Sequence, residues 1–163
     1  MYSIAKNDLR VIDFLVRNFS EMNTMRNIAL KLKISAAGVH SVLKKLESEN
    51  FVQAQKLGTG LFYKINFENN IAKYLASIAL LEHKAPKKLQ EIGEGVISKG
   101  TDLLIISSSF VEPLEGYKCE IIGQEEFVEK LKEKNPAILK MLKEGQIAAG
   151  EEIILNAIME ASK

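Results

Sequence analysis

The chain has 163 residues, of which 47% are hydrophobic and 26% are charged, and this composition excludes a mainly disordered protein. No apolar run approaches the roughly 18 residues of a membrane-spanning helix, and the N-terminus lacks the layout of a signal peptide. We therefore expect a soluble, cytoplasmic protein with no membrane partner. The single cysteine, Cys119, excludes an intrachain disulfide, and two histidines are too few for a zinc site. No metal and no cofactor are expected.

Charge is divided unevenly along the chain. Residues 1–84 carry 12 Lys or Arg and 7 Asp or Glu, a balance of +5, whereas residues 85–163 carry 10 and 14, a balance of −4. A basic half followed by an acidic half indicates one part that faces nucleic acid and another part with a different task.

The first half of the chain predicts three helices followed by a hairpin, because apolar residues recur first at helical spacing and then in two β-like runs. Gly58 and Gly60 flank the hairpin turn and can supply the positive φ that it needs. The predicted elements are a helix over residues 8–18, a helix capped by Thr24, a helix capped by Ser35 that ends near residue 50, and strands over residues 51–56 and 61–66.

The second half predicts a small α/β unit after a linker helix. The linker helix covers residues 70–84, and its apolar stripe consists of Ile71, Leu75, Ile78 and Leu81, with Tyr74 and Leu80 beside it. The remaining predicted elements are a short helix over 88–94, a glycine-containing loop over 93–100, a strand over 103–106 buried on both faces, a strand over 117–122, and helices over 125–134, 136–143 and 151–161. The fold class is thus α+β, with domains over 1–69 and 87–163 joined by residues 70–86.

Residues 23–66 resemble the winged helix-turn-helix regulators of the MarR and ArsR type, which occur in archaea and bacteria. The resemblance covers roughly residues 8–68. It implies that the helix after Ser35 enters the major groove of double-stranded DNA and that the hairpin, or wing, reaches the backbone. It identifies the following residues as candidates for DNA contact: Ser35, Ala36, Ala37, Gly38, His40, Ser41, Lys44, Lys45, Lys56, Thr59 and Lys64.

The candidate set departs from the family pattern in ways that lower its expected sequence specificity. Ala36, Ala37 and Gly38 cannot make bidentate base contacts, although they can touch a thymine methyl group or let the backbone approach closely. Thr59 replaces an arginine at the wing tip, and Lys33 replaces the glycine common in the turn. Lysine contacts to phosphate supply a salt-dependent affinity instead. The alternative is a winged helix that binds protein, as an adaptor.

Residues 100–107 and 117–158 resemble the tail of a small nucleotidyltransferase domain, and archaeal proteins that join such a domain to a winged helix are known. The resemblance implies two metal ions held by an Asp-x-Asp pair and a third carboxylate, behind a Gly-Ser loop. Here Gly100 stands in place of the first aspartate, only Asp102 matches, and Glu120 is the one candidate for the third carboxylate. No Gly-Ser precedes them. This comparison predicts a non-catalytic domain without catalytic or metal-binding residues.

These observations together predict a DNA-binding transcriptional regulator that works as a homodimer, with helix 70–84 in the interface. The C-terminal domain would serve oligomerisation or the sensing of a small-molecule or protein effector. The alternative from another class is an active nucleotidyltransferase that uses the winged helix to capture its substrate.

Overall fold

The computed structural model describes residues 3–81 and 86–163 of the chain. The chain divides into two compact units, Met1–Ala79 and Leu80–Lys163. Both units combine helices with a small sheet, so the protein has a mixed α+β fold. No helix of the described residues is long and apolar enough to cross a membrane.

The first unit packs helices against a three-stranded antiparallel sheet in which the third strand is central. Its elements, with the helix that follows them, are α1 (Lys6–Arg17), β1 (Asn23–Thr24), α2 (Met25–Leu32), α3 (Ala36–Ser48), β2 (Val52–Leu57), β3 (Gly60–Ile65) and α4 (Asn70–Leu80). The boundaries agree with the predicted ones to within about two residues, except for the short strand β1, which was not predicted, and for the end of α4.

Side-chain caps explain where α2 and α3 begin. The Thr24 hydroxyl accepts a hydrogen bond from the Asn27 N–H at 3.2 Å, and the Ser35 hydroxyl accepts one from the Gly38 N–H at 3.1 Å. Each bond satisfies an N–H that has no partner within the helix. Lys33 ends α2 in the left-handed conformation, with φ 54°. Both predicted caps are therefore confirmed.

The core of the first unit consists of the apolar faces of its helices and of the sheet. Burying each large side chain stabilises the unit by about 1.5–3 kcal/mol relative to exposing it. These buried residues include Val11, Ile12, Leu15, Val16, Ile28, Val39, Leu43, Leu46, Phe51, Val52 and Ile65.

Asparagines join the end of α3, the base of the hairpin and the start of α4. The buried Asn66 amide donates to the Asn50 carbonyl at 3.0 Å and accepts from the Gln53 amide at 2.9 Å. Asn50 has a positive φ of 59°, which asparagine tolerates better than most residues. The Asn69 carboxamide oxygen accepts from the Ile71 N–H at 2.8 Å and so caps α4. Helix α4 ends at Leu80, and residues 82–84 of the linker helix predicted over 70–84 lie outside the described residues.

The second unit is built on a four-stranded sheet whose order is β6-β5-β4-β7. Only β5 and β6 are parallel. Its elements are β4 (Gly95–Lys99), β5 (Asp102–Ile106), β6 (Lys118–Ile122), α5 (Gln124–Lys132), α6 (Pro136–Glu144), β7 (Gln146–Ala149) and α7 (Glu151–Ala161). The prediction of a strand buried on both faces is confirmed, because the residues from Leu103 to Ile106 are all at most 2% exposed.

Two predictions for this unit are wrong. The glycine-containing loop over residues 93–100 is instead mostly the buried strand β4, and the helix over 88–94 is only a single 3-10 turn at Lys87–Leu89. The glycines mark close packing here, because a Cβ at Gly93 would lie 2.6 Å from the Ile105 Cγ2 and one at Gly95 would lie 3.2 Å from the Ile106 Cδ1. Strand β7 was not predicted.

Candidate nucleic-acid interface

One face of α3 is exposed along its length. Helical spacing brings five of the candidate side chains onto this face: Ala36, Ala37, His40, Ser41 and Lys44. Val39, Leu43 and Leu46 lie on the opposite side, and each is at most 2% exposed. The packed side fixes the orientation of the exposed face, which has the length of about three helical turns.

Lys45 does not belong to this face. Its ammonium nitrogen lies 2.5 Å from Oδ2 of Asp8 and also donates to the Ser3 carbonyl. The Asp8 side chain is only 3% exposed, and it accepts a second hydrogen bond from the Ala5 N–H at 2.8 Å. The side chain of Lys45 is 37% exposed, but its ammonium group is paired with a buried carboxylate of α1.

Ser35 and Gly38 are engaged within their own turn. The Ser35 hydroxyl caps α3, and a Cβ at Gly38 would lie 3.1 Å from both the Ile34 Cγ2 and the Ser35 Oγ. The tight turn thus accounts for the glycine without any approach of DNA.

The wing carries its two lysines on opposite faces. Lys56 pairs with Leu61 across the hairpin and Lys64 pairs with Gln53, and side chains alternate between faces along each strand. Thr59 lies in the two-residue turn beside Gly58, whose φ is +60°. Lys56, Thr59 and Lys64 are all exposed, so the hairpin presents one cation on each face.

The arginines of the first unit differ in their availability. Arg10 donates to the Leu32 carbonyl at 2.6 Å and so satisfies the end of α2, whereas the buried Arg17 lies 2.6 Å from Asp13. Arg26 is exposed in the first turn of α2. Arg26 was not among the residues predicted from the sequence, although its position two residues after the Thr24 cap places it in the first turn of α2.

Tyr63 lies in the middle of β3 and is 8% exposed. Burial raises the pKa of its phenol above the ordinary value of 10.0, and the negative charge of Glu47 raises this pKa further. The phenol therefore stays neutral at physiological pH, and Tyr63 is part of the core of the first unit.

In the second unit, two carboxylates come to one sheet face. Asp102 pairs with Lys118 and Leu104 with Glu120 in the parallel register of β5 and β6, so their side chains share that face. The Glu120 carboxylate lies 3.0 Å from the Lys130 ammonium. Gly100 sits in the turn before β5 with φ +61°. Within residues 3–81 and 86–163 no group of three or more His, Cys, Asp or Glu side chains could hold a metal ion.

No protein-family model matches the chain, and no curated protein sequence is similar to it. Function is therefore inferred from the chemistry and geometry of these two regions.

Proposed function

We propose that the protein is a winged helix-turn-helix transcriptional regulator of the MarR and ArsR type that binds double-stranded DNA. In this proposal α3 enters the major groove and the β2–β3 hairpin lies along the backbone. The observation that carries the proposal is the exposed face of α3. This helix is the second of two capped helices joined by a tight turn, and its opposite side is apolar and buried.

The side chains on this face suit a reader of modest specificity. The methyl groups of Ala36 and Ala37 can contact thymine methyl groups, and His40 and Ser41 can hydrogen-bond to base edges. Lys44 lies one helical turn beyond His40, where its stem reaches the phosphates. Neither alanine offers a polar group, so most of the affinity would come from phosphate contacts.

The expected salt dependence follows from the number of available cations. Lys44, Arg26 and one wing lysine give about three phosphate contacts per subunit, because the two wing lysines face opposite ways. Each contact releases counterions, so the logarithm of affinity should fall with the logarithm of salt concentration with a slope of about −3 per subunit.

The experiment measures fluorescence anisotropy of a labelled random-sequence duplex over a range of salt concentrations. The variant Lys44→Glu with Lys56→Glu should bind at least about tenfold more weakly at low salt and with a shallower slope. The control, Lys6→Glu with Lys73→Glu, changes net charge equally on α1 and α4. Equal losses of affinity in both variants would mean that binding depends only on the overall charge of the protein. Unchanged affinity of the first variant would overturn the proposal in favour of a protein-binding adaptor.

We further propose that the second unit is a shortened, non-catalytic relative of the nucleotidyltransferases. Gly100 has no side chain to bind a metal, and Glu120 is engaged by Lys130. These features support a domain that does not transfer nucleotides. Incubation with labelled nucleoside triphosphates, Mg²⁺ or Mn²⁺ and duplex or RNA acceptors should give no product. Product formation that disappears in the Asp102→Asn variant would show instead that the second unit is an active nucleotidyltransferase.

We infer that the working form is a homodimer that uses α4. Four large apolar side chains of the helix and its end remain exposed at helical spacing: Ile71 at 38%, Tyr74 at 71%, Ile78 at 52% and Leu81 at 53%. Such a contiguous apolar stripe is typical of an interaction surface. Leu75 and Leu80, which the sequence placed with this stripe, are buried. A two-fold dimer would place two α3 helices on successive half-sites of the DNA. The second helix would compensate for the small number of side chains on α3 that can contact base edges.

A further inference from the structure

A cleft of about 340 Å³ lies between α6 and one face of the second unit's sheet. We call it the lysine cleft, after Lys99, Lys118 and Lys140. Two acidic residues, Asp102 and Glu120, and the apolar Ala137 and Met141 also line it. Its volume is at the lower end of the range for small-molecule sites, which is about 300–1,000 Å³.

The strand register explains why these side chains meet. Lys99 pairs with Asp102 across β4 and β5, and Asp102 pairs with Lys118 across β5 and β6. Directly paired residues point to the same face of a sheet, so the three side chains form a row across three strands. Helix α6 contributes Lys140, Ala137 and Met141 from the other side.

The charges in the cleft are unequally neutralised. Lys99 forms an ion pair with Glu144. Among the described residues, the side-chain ammonium groups of Lys118 and Lys140 form neither a hydrogen bond nor an ion pair, although both residues line one cavity. Two ammonium groups that face a shared cavity repel each other, and an anion between them removes this repulsion.

The donors for such an anion are the ammonium groups rather than the start of α6. The Asn135 carboxamide oxygen already accepts from the Ala137 N–H at 3.0 Å and from the Ile138 N–H at 3.2 Å. The Met141 and Ala137 side chains add an apolar wall beside the lysines. The ligand that fits this arrangement has an anionic group and an apolar part.

We propose that the lysine cleft binds a small organic phosphate directly, without a metal ion. The phosphate oxygens bridge Lys118 and Lys140, since a phosphate monoester is close to a dianion at neutral pH and matches two ammonium groups. The organic part lies against Met141 and Ala137. This site is separate from the DNA-binding face of α3, and its occupancy is measured without DNA.

The test uses the full chain labelled with ¹³C at the methionine methyl groups and phenyl phosphate as the probe. During titration at constant ionic strength the Met141 signal should shift and saturate, while the signals of Met22, Met25 and Met159, which do not line the cleft, should stay in place. Inorganic phosphate should bind more weakly than phenyl phosphate because it lacks the apolar part, and phenol should not bind.

Two matched variants separate the cleft from general charge. Lys118→Gln with Lys140→Gln should weaken binding by about tenfold or more, because each lysine contributes a charge-assisted hydrogen bond. Lys87→Gln with Lys163→Gln removes the same charge from exposed lysines outside the cleft and should bind like the parent. If the methionine signals of the first double variant collapse to the positions of an unfolded chain, the single variant Lys140→Gln is compared with the parent instead. The proposal would be overturned by a Met141 shift that never saturates, by a common shift of the Met141 signal and the three reference signals, or by unchanged binding of the cleft variant.

Discussion

Lys44 and Lys45 are neighbours in the sequence, but only Lys44 is exposed on α3, whereas Lys45 contacts the buried carboxylate of Asp8. Replacing Lys45 with glutamate would bring two carboxylates together at the buried Asp8 and destabilise the packing of α3 against α1. For this reason the charge reversal that probes DNA binding combines Lys44 with Lys56, both exposed, and leaves Lys45 in place.

The two lysines should therefore differ in their effect on stability. Lys45→Met leaves Asp8 buried without its cation and should lower the free energy of unfolding by about 1–3 kcal/mol. Lys44→Met, the matched control one residue away, should change it by less than about 0.5 kcal/mol. Urea denaturation followed by circular dichroism measures both. Equal effects of the two substitutions would show that the Asp8 contact contributes nothing.

The raised pKa of Tyr63 predicts how the free energy of unfolding changes at alkaline pH. Burial, and then Glu47, raise the pKa of this phenol, so the folded unit favours its neutral form. Below the ordinary pKa both states keep the proton and the effect is absent. Above about pH 10 the unfolded chain loses the proton first, so stability falls as pH rises toward the folded pKa. Urea midpoints from pH 8 to 11 should fall more steeply for the parent than for Tyr63→Phe. Parallel curves would contradict the shift.

At the scale of elements, the turn between α2 and α3 carries local strain at Lys33. A lysine at φ 54° sits in a region that glycine occupies without a Cβ penalty. Lys33→Gly should therefore raise the free energy of unfolding by about 0.5–1 kcal/mol. The control Lys31→Gly, two residues earlier within α2, should lower it by up to about 1 kcal/mol. Destabilisation by both glycines, in the same denaturation experiment, would mean that the lysine side chain itself supports the turn.

The elements that the sequence predicted best are those with local signals. The Thr24 and Ser35 caps lie within three residues of the N–H groups that they satisfy, and the apolar period of α3 identifies its packed side. Strand β4 was missed because glycine is required by contacts with β5, at Gly93 just before the strand and at Gly95, its first residue. Such contacts join residues about ten positions apart, and no local pattern reports them.

The same distinction applies to the candidate interface. Helical spacing sufficed to place Ala36, Ala37, His40, Ser41 and Lys44 on one exposed face. It could not show that Lys45 is bound to Asp8, which lies 37 residues away. The opposite faces of the two wing lysines depend on the hairpin register, and the row of charges in the lysine cleft depends on pairing across three strands.

For the whole molecule, the basic and acidic halves of the sequence correspond closely to the two compact units. At physiological ionic strength the field of a surface charge is screened within about 8 Å, so the acidic unit would oppose the proposed DNA binding only weakly beyond that distance. The proposed dimer would double the number of α3 helices that contact DNA, and we expect this to change affinity more than the screened repulsion does.

The dimer proposal gives the last prediction, and the burial of α4 selects the residues that test it. Tyr74→Asp with Ile78→Asp places two charges on the exposed stripe, where the folded monomer tolerates them, whereas aspartate at the buried Leu75 would unfold the helix. Sedimentation equilibrium at micromolar concentration should give about twice the chain mass of 18.2 kDa for the parent and the single-chain mass for this variant. The control, Leu30→Asp with Phe110→Asp, adds the same charges at exposed apolar residues elsewhere and should stay dimeric. A parent of single-chain mass at every concentration would overturn the dimer, and a folded variant that remains dimeric would place the interface outside α4.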